Sequence, residues 1–278
     1  MWILEKPDTS KAFGSDVDEL VAHCVSLDAA DAVDLKKLHH QYDKNGGTAS
    51  PAELAKLDPK KDIIKNQYTS KVKKGGTLEV IRKDLFQNVE QCPMCGINLP
   101  SQLDHYMDKK TYGQLACCRL NLVPACGICN HTKSDGDYTK YVHAYYDRYD
   151  PADFLVTIVT VKNNRLGFRF FIDKGAIQDI NLATRTESQF NELHLNSRFH
   201  KAAINFVEEL VKGLTCKKDR SLMQKLKSWE AYYQDRYGRN HWKTSVIRGL
   251  RACPAFNIAV VNAMRTKPVT KMINGIGA

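Results

Sequence analysis

Two pairs of cysteines have the spacing of a metal site. Cys92-Pro93-Met94-Cys95 and Cys126-Gly127-Ile128-Cys129 are both Cys-x-x-Cys, with 30 residues between the pairs. Two-residue spacing lets both thiolates of one tight turn reach the same ion. Two such turns complete a tetrahedral four-sulfur shell, which suits zinc. Four thiolates leave no open position, so the expected Zn²⁺ is structural. The competing reading is four unligated buried cysteines. Cys24, Cys117, Cys118, Cys216 and Cys253 fall outside this frame and read as small buried hydrophobes.

A second group of residues lies between and just after the pairs. Leu103-Asp104-His105-Tyr106 comes first, then Asn121-Leu122-Val123-Pro124-Ala125, then Cys126 through Asn130, and Lys133. In order and spacing this resembles the HNH (ββα-metal) endonuclease family. There a strand ends in Asp-His, a loop follows, Asn-Leu opens a second strand, and Cys-x-x-Cys-Asn runs into a helix bearing a lysine. The resemblance spans residues 89–133. Tyr106, Lys109, Tyr112, Leu115 and Pro124 also match a bacterial subset of the family, while Asp108 and Gly113 stand where that subset usually has proline.

The resemblance implies phosphodiester hydrolysis, which needs an activated water, a cation on the departing oxygen, and groups that hold phosphate. His105 is the implied general base, because imidazole exchanges protons near neutral pH. Asp104 and Asn130 offer hard oxygen ligands suited to a catalytic Mg²⁺ or Mn²⁺. The family pattern gives Asn121 the task of orienting the His105 ring. Lys133, placed near the start of the helix after the second cysteine pair, is expected to face a substrate phosphate. Lys109, with Lys110 beside it in the loop, is expected to meet the nucleic-acid backbone.

Each residue has a plainer reading. Asn121 can be a strand-start residue bonded to local backbone, Lys133 a solvated lysine, and Lys109 and Lys110 part of a solvated loop. His131 reads as a helix-face residue or phosphate contact before it reads as a further ligand. His39-His40 is assigned no function.

These residues need elements to position them. The expected fold class is α+β and mostly helical, with a central ββα-metal motif flanked by helical regions and a β-hairpin. Residues 1–85 read as helical: Val17, Leu20, Val21, Cys24 and Val25 recur at helical spacing, and Val33, Leu35, Leu38 and Tyr42 form a second stripe closed by Asn45-Gly46-Gly47. Ser50-Pro51-Ala52-Glu53 is a helix start with a capping Ser. Residues 86–150 hold the motif. Residues 151–278 open with Phe154 to Val161, strongly β-prone, then Asn163-Asn164, a tight-turn pair, and Leu166 to Ile172, a returning strand. Ile204, Val207, Val211 and Leu214, then Leu222, Leu226, Trp229 and Tyr233, return to helical spacing before Gly238.

Composition sets the partners. The chain has 278 residues, 43% hydrophobic and 26% charged, as in a soluble globular protein. It contains no apolar run long enough for a membrane span. Met1 to Asp8 carries no secretory pattern, which makes the cytoplasm the expected compartment and metal a better reading of clustered cysteines than disulfide. Net charge is +10, and residues 201–278 hold 15 Lys+Arg against 5 Asp+Glu, so the whole excess is C-terminal. That asymmetry, interleaved with Tyr232, Tyr233, Tyr237 and Trp242, suits a polyanion, DNA first, against the plainer reading of a solvated basic surface. The resemblance to bacterial nucleases implies antiviral defence or restriction, with an ATPase partner protein of a Septu- or retron-type system. Two alternatives stay open: an RNA-cleaving nuclease, and a zinc-stabilised nucleic-acid-binding protein without catalysis.

Overall fold

Local sequence rules account for most of the elements seen in the computed structural model, which describes residues 3–266. The first part is helical: α1 (Thr9–Phe13), α2 (Ser15–Ala22), α3 (Ala29–Lys44), α4 (Pro51–Lys56), α5 (Lys61–Lys71) and α6 (Glu79–Phe86). Helix α3 starts at a reciprocal cap. The Asp28 carboxylate accepts from the Ala30 and Asp31 N–H groups, and Asp31 accepts from the Asp28 N–H. It stops where Gly46 and Gly47 take φ of +64° and +88°. Ser50 stands at the N-cap of α4, as the sequence predicts, but its side chain makes no capping hydrogen bond.

Two short strands then pair. β1 (Gln102–His105) runs antiparallel to β2 (Leu122–Ala125), with Asp104 opposite Val123 and His105 opposite Leu122. β2 leads directly into α7 (Gly127–Lys133). A second hairpin, β3 (Leu155–Lys162) and β4 (Arg165–Ile172), turns at Asn163 and Asn164, both with positive φ, as the Asn-Asn pair predicts. Helices α8 (Ile180–Glu192), α9 (Leu195–Lys212), α10 (Asp219–Tyr237), α11 (Trp242–Ala252) and α12 (Ile258–Arg265) follow. The protein is thus α+β, with two small hairpins among many helices. No helix among the described residues is long and apolar enough to cross a membrane.

The chain divides into two compact units. Among the described residues, one is 3–154 with 172–195, and the other is 155–171 with 196–266. The boundaries differ from the three sequence regions 1–85, 86–150 and 151–278: α1 to α6 and the β1–β2 hairpin share one unit because they share one core. Leu20, Leu35, Leu38, Tyr42, Ile64, Leu78 and Ile81 are all fully buried within it. Arg119, between the two strands, is buried in the same core. Its guanidinium is clamped by both oxygens of Asp16 on α2 and by Asp84 on α6. A buried fork paired with two carboxylates ties the hairpin to the helical shell.

In the second unit, α11 lies against β3. The Ser245 hydroxyl donates to the Leu155 carbonyl at 2.7 Å and lies 2.6 Å from the Thr157 hydroxyl. Gly249 permits this approach, since a Cβ there would stand 2.6 Å from the Thr157 carbonyl oxygen. Phe168, Phe170, Phe199, Trp242, Val246 and Ile247 fill the space between hairpin and helices.

Candidate metal centre and adjoining cleft

The four cysteines of the two Cys-x-x-Cys pairs converge. All are buried and free of disulfides, and their Sγ atoms lie within 4.8 Å of one another. A tetrahedral zinc with sulfur at about 2.3 Å fits such a cluster. The first pair is a knuckle: the Cys95 and Gly96 N–H groups both donate to the Cys92 carbonyl, and Gly96 takes a φ of +62°. The second is a helix start, because Cys126 is the N-cap of α7 and its Sγ accepts from the Cys129 N–H at 3.5 Å. Hydrogen bonds from the neighbouring thiols of Cys129, Cys92 and Cys95 hold Cys126 far below the ordinary thiol range. A thiolate is the form that binds metal. This buried cluster could hold a metal ion such as zinc.

Beside it opens a cleft of about 300 Å³, lined by Asp104, His105, Lys109, Asn130 and His131 among others. Strand β1 supplies Asp104 and His105, and α7 supplies Asn130. With Lys109 from the loop after β1, the fold therefore brings together four of the site residues singled out from sequence. Asn130 is half-buried, and its Nδ2 donates to Gln102 Oε1 at 2.6 Å, which leaves its carbonyl oxygen as the end available to a ligand.

His105 is held by backbone. Its Nε2 lies 3.0 Å from the Ala116 carbonyl oxygen. A carbonyl only accepts, so Nε2 carries the proton and Nδ1 keeps the lone pair. The Tyr68 ring from α5 meets the imidazole edge-on with centroids 4.4 Å apart, and its hydroxyl donates to the Leu103 carbonyl. Burial pushes the His105 pKa down to about 3. The ring is therefore a neutral acceptor near neutral pH.

Asp104 is almost fully buried, and burial raises its pKa to about 6 against the opposing pull of Lys133. Lys133 is where the structure departs most from the sequence reading. It is the last residue of α7, not an early one, and its ammonium is turned inward. Its Nζ stands 3.0 Å from Asp104 Oδ2 and donates to the His105 and Tyr106 carbonyls. An ammonium with those partners is not presented to a substrate phosphate. The reason is geometric: the last turn of α7 lies against β1, which puts Nζ beside the Asp104 carboxylate and the His105 carbonyl.

Asn121 also does something other than expected. It makes no hydrogen bond to the His105 ring. Its Oδ1 accepts from the Met107 N–H and the Tyr42 hydroxyl, and its Nδ2 donates to the Met107 and Leu115 carbonyls. The ring is oriented by the Ala116 carbonyl, and Asn121 ties down the chain on both sides of it. Lys109 lines the cleft with its Nζ 4.9 Å from the Tyr68 ring centroid. Lys110 pairs loosely with Asp135 at the surface.

The chain matches no family model, no curated protein and no solved structure. The chemistry of the cleft is therefore read from its own geometry. Sequence reasoning missed Tyr42, Tyr68, Ala116 and His143. Ala116 acts through its carbonyl, which no sequence pattern marks. His143 sits in a tyrosine-rich stretch, Tyr141 to Tyr149, whose density was the available signal.

Proposed function

We propose that this chain is a metal-dependent nuclease of the HNH class, hydrolysing phosphodiester bonds in DNA. The observation that carries the reading is the His105 imidazole at the cleft, its Nε2–H spent on a backbone carbonyl and its Nδ1 left to accept a proton from water. A general base needs that tautomer fixed, and here backbone fixes it.

Asp104 and Asn130 are the residues that would hold a catalytic Mg²⁺ or Mn²⁺. Their fit to a hard cation rests on donor chemistry, a carboxylate on β1 and a carboxamide oxygen on α7 that line the same cleft. Bound there, a divalent ion supplies Lewis-acid stabilisation of the departing oxygen. Lys133 already neutralises the same carboxylate, so Asp104 would hold a divalent ion either beside that ammonium or once the ammonium had moved away. Lys109, at the cleft wall, is the cation better placed for a substrate phosphate.

The second unit supports the DNA reading by its surface. Lys243 and Arg236 lie over the Tyr237 ring at 5.0 and 5.7 Å, Lys225 lies over Trp229 at 5.4 Å, and Tyr232 is exposed. Cations beside aromatic faces can hold a nucleic-acid strand by charge and stacking. A role in antiviral defence with an ATPase partner rests on the sequence resemblance alone.

The test is supercoiled plasmid incubated with wild-type and His105→Ala protein in Mg²⁺, Mn²⁺ or EDTA, beside structured RNA. Metal-dependent nicking or linearisation by wild type alone is the expected result. Cleavage by His105→Ala sinks the base assignment, and preferential cutting of RNA sinks the DNA assignment.

A further inference from the structure

Asn121 is one end of a buried polar chain that reaches two residues outside the motif. Tyr42, Asn121 and His143 are 0%, 0% and 1% exposed. The Tyr145 N–H donates to His143 Nδ1 at 3.3 Å, so the ring proton sits on Nε2, which lies 3.0 Å from the Tyr42 oxygen. Tyr42 in turn donates its hydroxyl proton to Asn121 Oδ1 at 3.1 Å. Every hydrogen bond in the chain then has one direction.

The far end of the chain is the His105 cradle. The Asn121 carboxamide grips Met107 by both its N–H and its carbonyl, and it also grips the Leu115 carbonyl. Met107 is two residues beyond His105. Leu115 immediately precedes Ala116, whose carbonyl receives the His105 Nε2–H. One carboxamide therefore sets the separation between the ring and the carbonyl that fixes it. The His143 ring also packs 4.0 Å from the ring of Tyr106, the next residue after His105. Gly47 makes room for it: a Cβ there would stand 2.4 Å from the His143 ring.

We propose that Tyr42 and His143 are positioning residues for His105, acting through Asn121 to hold its imidazole in the Nε2–H form. Their catalytic consequence rests on the nuclease reading of the same cleft. If the chain only filled space, apolar side chains of similar volume would serve at both positions, without the cost of burying polar groups. The directed hydrogen bonds locking both faces of the Asn121 amide go beyond filling.

The test uses the full chain labelled with ¹⁵N-histidine, the His105 ring signals being assigned by their loss in His105→Ala. Wild type should show a single Nε2–H tautomer at His105. In Tyr42→Phe that ring should become a mixture, and plasmid-cleavage kcat should fall about 10- to 100-fold with KM within about twofold, the scale on which outer hydrogen-bonding partners act. His143→Phe should do the same. His143→Gln, whose amide can still donate to Tyr42 and accept from Tyr145, should recover most of both the rate and the tautomer. Equal loss in His143→Phe and His143→Gln, or unmoved His105 signals in folded Tyr42→Phe, overturns the proposal. A wild-type protein that leaves plasmid intact overturns the nuclease reading, and the ring signals then decide the positioning role alone.

Discussion

The ammonium of Lys133 stands 3.0 Å from the Asp104 carboxylate, with both side chains almost wholly removed from water. Two residues with no contact in sequence thus share one buried charge pair, joining the end of α7 to β1. Such a pair is costly to assemble and costlier to break on one side, because the remaining ion is left desolvated without a counter-charge. Three acceptors around Nζ, the carboxylate and the carbonyls of His105 and Tyr106, make Lys133 the less replaceable partner.

Lys133→Ala is therefore expected to lower stability by about 3–5 kcal/mol, the range for stripping one partner from a buried pair. The double variant Lys133→Met with Asp104→Leu should recover a large part of that loss. Urea unfolding of metal-replete protein measures both. A Lys133→Ala protein within about 1 kcal/mol of wild type would show that the ammonium is as well solvated as a surface lysine.

The four-cysteine cluster makes a separate prediction about metal. Each chain should retain about one equivalent of zinc after exchange against a weak chelator, measured by elemental analysis. Cys92→Ser and Cys129→Ser should lose the metal and with it solubility and thermal stability, because binding energy and folding energy are the same quantity in so small a metal-held segment. A zinc-free protein with an unchanged melting transition contradicts this.

The elements were legible in sequence where a local rule governs them. Asn163-Asn164 marks the β3–β4 turn because both residues tolerate positive φ, and Asn45-Gly46-Gly47 marks the end of α3 for the same reason. The cysteine cluster was legible because Cys-x-x-Cys spacing is itself geometry. Side-chain direction was not. Lys133 lies three residues after Asn130, and that spacing does not say whether the ammonium reaches into a cleft or back under a strand. The His105 cradle was hidden for a different reason. Its parts come from α3, α5, the loop before β2 and the stretch after α7, and only the folded core brings Tyr42, Tyr68, Ala116 and His143 together.

Buried neutral histidines predict how stability depends on pH. Burial lowers the pKa of His39 and His143, and His105 is held at about 3. In each case the folded value lies below the unfolded value of about 6.5. The unfolded chain therefore binds protons that the folded chain refuses. This contribution to stability is present above pH ~6.5 and is lost as pH falls, by about 1.4 kcal/mol per pH unit for each such histidine. His39 isolates the effect, since it is remote in sequence from the cysteines and its Nδ1–H donates to the Ala12 carbonyl at 2.9 Å. His39→Asn can keep a donor for that carbonyl without titrating. Its stability curve between pH 7.5 and 5 should be shallower than that of wild type by one proton. Parallel curves would mean that His39 is protonated in the folded protein.

In the second unit the sharpest steric constraint is Gly249. Helix α11 approaches β3 closely enough that an added Cβ would meet the Thr157 carbonyl at 2.6 Å and Val159 Cγ2 at 3.1 Å. The carbonyl is backbone and cannot rotate away, so the helix must move outward. That movement stretches the Ser245 hydroxyl away from the Leu155 carbonyl, the polar bond that seats α11 on the strand. Gly249→Ala is expected to cost about 1–3 kcal/mol, the scale of overpacking, even though alanine is the better helix former by about 1 kcal/mol. The two effects oppose each other, and the sign of the measured change in denaturant midpoint reports which one wins. A stabilised Gly249→Ala protein would mean that α11 can withdraw from β3 without losing its packing.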